Sequence, residues 1–76
     1  MEFTISSEEK TKSLNAVITQ NEINLYQALI TAGYNPETFD ETTYVVPEEA
    51  YPMSIFHTIE TLLEKIATLK AMLADI

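Results

Sequence analysis

His57 is the only histidine in the chain, and its neighbours at helical spacing are the first place to look for chemistry. Ser54 stands three residues before it and Glu60 three after it, so a helix would string a hydroxyl, an imidazole and a carboxylate along one side. That is the residue set of nucleophilic catalysis, in which a histidine takes the proton of a hydroxyl and an acid orients the ring. Helix surfaces present such strings often, and a polar strip beside an apolar seam accounts for this one without any chemistry. His57, Glu60 and Glu64 fall at i, i+3 and i+7, near one helix face. Inward-facing Glu and His at i, i+3 build carboxylate metal sites in helical bundles. Here Ile59, Leu62 and Ile66 already hold the inward positions. The chain has no cysteine and a single glycine, which excludes thiol catalysis, thiolate metal sites and glycine-rich phosphate loops. The sequence therefore predicts a non-enzyme, with no catalytic residues, no metal and no cofactor.

The elements around His57 are clearer than any chemistry. Ile55, Ile59, Leu62, Ile66, Leu69, Leu73 and Ile76 follow a 4-3-4-3-4-3 spacing. That averages 3.5 residues per turn, the seam of a coiled coil or of a helix in an antiparallel bundle. It predicts a helix over 52–74, opened by Pro52 at the first helical position. Upstream, Leu14, Ile18, Asn21, Leu25, Ala28 and Ala32 repeat the pattern. Val17, Ile23, Tyr26, Leu29 and Ile30 widen that apolar surface, which suits a helix with more than one neighbour. Ser6 with Glu9 reads as a capping box, while Gly33 and Pro36 read as a stop, so the first helix is expected over 7–32. Asn21 either fixes the register from a buried position or reaches water at the bundle edge.

The connection, 33–51, is long for a helical hairpin, where about 2–8 residues are usual. It is also rich in Tyr34, Phe39, Tyr44, Val45, Val46 and Tyr51. Segments 2–5 and 42–46 are β-prone and are expected to form at most a minimal ribbon. Pro47–Ala50 reads as a single helical turn. Tyr34, Phe39, Tyr44 and Tyr51 suit either a lid over the open edge of the helices or a surface for a protein partner, and the two roles are compatible.

Charge narrows the partners. The net charge is −8, and no lysine or arginine lies between Lys12 and Lys65. Nucleic acids and anionic membranes are bound through Lys and Arg, so neither is an expected partner. A short strand followed by two helices resembles the ribbon-helix-helix repressors. In those proteins the strand and helix N-termini bear basic or polar DNA-contacting residues; Glu2, Glu8 and Glu9 occupy these places here, which rules that reading out. Glu37, Asp40, Glu41, Glu48 and Glu49 instead allow an acidic mimic of a phosphate line, aimed at a basic protein surface.

The 76 residues suffice for one small domain, 1–76, whose stability is marginal without help. Lacking disulfides, the chain is expected to oligomerise or hold a permanent partner. The N-terminus has no basic and apolar leader pattern, and no run approaches a bilayer span, so a soluble cytoplasmic protein is expected. The expected fold is all-α: an antiparallel, coiled-coil-like hairpin, dimerising into a four-helix bundle. Its assembly seam is Leu14, Ile18, Leu25, Ile55, Ile59, Leu62, Ile66, Leu69 and Leu73. The expected function is a protein–protein interaction or structural adaptor module, of the kind found among small bacterial and phage accessory proteins. The alternative is an acidic inhibitor of a nucleic-acid-binding enzyme.

Overall fold

A computed structural model describes residues 4–76 as two α-helices, α1 (Ser7–Ala32) and α2 (Ile55–Ala74), joined by an irregular connection. α1 begins where the chain supplies an acceptor for its free amides. The Ser6 hydroxyl accepts from the Glu9 N–H at 3.2 Å and donates to the Glu9 carboxylate at 3.1 Å. Glu8 and Glu9 add negative charge at the positive end of the helix dipole. α1 ends in a Schellman motif. Gly33, at φ 93°, donates to the Ile30 carbonyl, and Tyr34 donates to the Leu29 carbonyl at 2.9 Å. A left-handed residue is needed there, and the position is filled by the only glycine in the chain.

α2 starts three residues later than the sequence predicts. Pro52 does not open the helix. It occupies the second position of a turn closed by the Ser54 N–H on the Tyr51 carbonyl at 3.0 Å, and Ser54 becomes the N-cap. The fixed φ of proline suits that turn position as well as the first helical one, so its presence alone does not discriminate.

The connection is a chain of four turns. They are closed by Thr38 on Asn35, Thr43 on Asp40, Ala50 on Pro47 and Ser54 on Tyr51. Pro47–Ala50 is thus a turn and not a helical one. Two turns are built by side chains that imitate the backbone: Asn35 Oδ1 accepts from the Glu37 N–H at 3.0 Å, and Asp40 Oδ1 from the Thr42 N–H at 2.9 Å. The Asp40 turn consumes the start of the β-prone 42–46 segment, and none of the described residues forms a strand. Part of the other β-prone segment, 2–5, lies outside the described residues.

The helices pack antiparallel. Ala28 and Leu29 near the end of α1 meet Ile59 near the start of α2, while Lys70 near the end of α2 reaches back to Glu22 at 3.6 Å. Ile59 is fully buried, and Ile18 and Ile66 are buried farther along. Full burial of a side chain of this size stabilises by roughly 1.5–3 kcal/mol. A two-helix layer has no third element to enclose it. The Cα radius of gyration is 14.9 Å, against about 11 Å for a compact chain of this length. Among the described residues, no helix is long and apolar enough to cross a membrane.

Candidate functional site

The seam residues lie between the two helices of one chain. Leu25, Ile55 and Leu62 pack around the Ala28, Leu29 and Ile59 cluster; Leu14, Leu69 and Leu73 are half-buried farther out. The register of the α2 seam is therefore spent on α1. Ile76, its last position, is exposed. Leu29, which the periodicity places on a flank, is in the core. The signal for it was present: with Gly33 as the residue after the cap, Leu29 is the position whose carbonyl and side chain meet Tyr34.

Asn21 is buried, and its Nδ2 donates to the Val17 carbonyl at 2.8 Å. That bond, one turn back on its own helix, meets one of the donors of the amide.

Three of the four connection aromatics form a lid. Tyr34 stands at the centre of a cluster, with its ring 5.5 Å from Phe39, 5.9 Å from Tyr44 and 6.4 Å from Phe56, all near perpendicular or edge-on. Such edge-to-face pairs are favoured by the ring quadrupoles. Tyr34, Phe39 and Tyr44 pack on the Ala28, Leu29 and Ile59 cluster, so the lid closes the end of the hairpin where the chain turns over. Burial pushes the Tyr44 hydroxyl above its ordinary pKa, with smaller contributions from Tyr34 and Glu60. Tyr51 takes no part: it is 68% exposed, and Val45 and Met53 are also exposed in the connection. No periodicity marks Val45 or Met53.

Glu37, Asp40, Glu41, Glu48 and Glu49 are all exposed. Among the described residues, none of them forms an ion pair; the two ion pairs are Lys12–Glu8 at 3.8 Å and Lys70–Glu22 at 3.6 Å. The Asp40 carboxyl is held below its ordinary pKa by the hydrogen bonds of the Thr42 side chain and backbone.

Around His57 the residues do not assemble a relay. The Ser54 hydroxyl is buried and has no hydrogen-bond partner, neither capping α2 nor meeting the imidazole. Among the described residues, no group of three metal-ligating side chains converges.

Large apolar side chains are exposed as well. Val17, Ile23, Tyr26 and Ile30 are exposed on α1, and Thr19, Glu22, Ile23, Tyr26 and Gln27 line a shallow groove there. No family model, no curated protein and no solved structure matches this chain.

Proposed function

We propose that the chain is a non-enzymatic protein–protein interaction or structural adaptor module, working in the cytoplasm and using no cofactor. Its partners are proteins, another copy of itself among them, and neither nucleic acid nor membrane. Association of two hairpins into a four-helix arrangement belongs to this reading. The observation that carries it is the set of large apolar side chains left in water: Val17, Ile23, Tyr26 and Ile30 on α1, and Val45, Tyr51 and Met53 in the connection. Ile23, Tyr26 and Ile30 share one side of α1 at helical spacing, and a contiguous apolar stripe left in water on a small chain marks an interaction site. The test is a pull-down with the tagged chain from nuclease-treated source-cell lysate, washed stepwise with salt. A protein retained through high salt by the wild type, and lost on Tyr51→Asp, supports the reading. Failure to retain any protein, together with a chain that does not self-associate, sinks it.

A second reading is supported by the unpaired acids at 37–49, whose exposed carboxylates leave room for a basic surface. On this reading the chain blocks a nucleic-acid-binding enzyme. Binding would then fall steeply with salt. It would also be lost when Glu37, Asp40, Glu41, Glu48 and Glu49 become Gln or Asn; retention by that variant eliminates the reading.

A further inference from the structure

The face of α1 turned away from α2 carries a second heptad seam. Ala16, Thr19, Ile23, Tyr26 and Ile30 follow a 3-4-3-4 spacing. At about 100° per residue they centre roughly 140° around the helix from Ile18, Ala28 and Leu29, with Ala16 and Ile23 farthest from the core and Tyr26 at its margin. All five are exposed, with Ile23 at 46%, Tyr26 at 51% and Ile30 at 55%. A helix needing only one neighbour has no use for two separate seams.

We propose that this second seam docks a second copy of the chain, α1 against α1, antiparallel about a two-fold axis near Asn24 and Leu25. The proposal rests on the reading of the chain as an interaction module and names one partner.

Area is the first argument. The chain exposes 5820 Å². A compact monomer of this size exposes about 4,700 Å², an excess of about 1,100 Å². A standard stable interface removes about 800 Å² from each partner, so one further helix-length contact accounts for most of the excess.

Charge is the second. In a chain of net charge −8, two copies repel wherever their acids face each other. Between Ser13 and Pro36, Glu22 is the only charged residue, and it is already paired with Lys70. The other positions flanking the seam are Asn15, Gln20, Gln27 and Leu29, the last already buried in the hairpin core. This is the stretch along which two copies meet with least repulsion, and a basic partner would find little there to hold it.

Shape is the third. In an antiparallel seam of this spacing, Ile23 packs on Tyr26 of the second copy, and Thr19 on Ile30 of the second copy. Each layer sets a smaller side chain against a larger one, and the two-fold axis repeats both layers. α1 and its copy would lie inside, with the two α2 helices outside, as a flat four-helix layer.

The test is sedimentation of the full chain over a wide concentration range. The expected result is a reversible dimer whose melting temperature rises with concentration. Ile23→Asp buries a charge in each central layer and should weaken association by about a hundredfold or more, with the far-UV helical signal of the folded hairpin kept. Ile30→Asp is the second variant, should the first lose helix. Tyr26→Lys alone should also be monomeric. Mixing it with Ile23→Asp should restore a dimer, because the carboxylate introduced on one chain then faces the ammonium introduced on the other. A wild-type monomer at every concentration overturns the inference, as does a dimer indifferent to both Asp variants. Absence of recovery on mixing overturns the antiparallel register. A monomer leaves the adaptor reading to its own test, since partner capture through Tyr51 does not involve this face.

Discussion

The Tyr44 hydroxyl donates a 2.7 Å hydrogen bond to the backbone carbonyl of Phe56, pinning the connection to the first turn of α2. The Tyr44 ring also meets Tyr34 edge-on and Phe39 at a tilt, so this one side chain joins the end of α1, the lid and the start of α2. Removing only the hydroxyl, in Tyr44→Phe, keeps the ring packing and should cost about 1 kcal/mol, read as a shift in the urea midpoint.

Tyr44 also sets an alkaline limb of stability. Burial raises its pKa above the ordinary 10.0, so the folded state favours the neutral phenol. The resulting stabilisation is complete below pH 10 and is lost as pH rises through the raised folded value. Stability should therefore decline on the alkaline side, and Tyr44→Phe should flatten that decline. Denaturant midpoints measured across the alkaline range for both proteins decide the point.

Ile59 is the most buried side chain of the hairpin, and Ile59→Ala should cost about 2–5 kcal/mol. For a two-helix layer that is a large share of the whole, so circular dichroism should show a chain largely unfolded at room temperature. Leu62→Asp and Leu69→Asp should behave alike, because these positions face α1 of the same chain. They should lose helix and not yield folded monomers.

Asn21 donates one hydrogen bond back to the Val17 carbonyl while occupying a buried seam position. Asn21→Leu replaces that amide with apolar contact and frees no buried partner outside the helix. It should raise stability by about 1 kcal/mol. A higher urea midpoint with an unchanged slope is the expected result; a lower midpoint would show that the site has no room for the larger side chain.

Gly33 has open space where a Cβ would stand, so Gly33→Ala tests backbone conformation alone. At φ 93° an alanine should cost about 1–2 kcal/mol, and Gly33→Asn less, because asparagine tolerates the left-handed region. Thermal melts of the two variants give the order.

Both helices were legible because local physics writes them. The Ser6 box, the Gly33 stop and two 3.5-residue seams each act within a turn or two of chain, and α1 occupies Ser7–Ala32 accordingly. The start of α2 was less legible because Pro52 fits a turn and a helix equally, and the choice fell to the turns packed before it. The sequence alone also determined that the aromatic connection was too apolar for a plain linker. It could not sort Tyr34, Phe39 and Tyr44, which close over Leu29 and Ile59, from Tyr51, which stays in water. Side-chain type is much the same in each case, and only the path of four successive turns brings a ring to the core or carries it away. On α1 the stripe that meets α2 was readable from the spacing of Leu14, Ile18, Asn21, Leu25, Ala28 and Ala32. Which of the flanking apolar residues joins it was decided by packing: Leu29 is buried while Ile23, Tyr26 and Ile30 stay in water, because one partner helix can cover only one side of a cylinder.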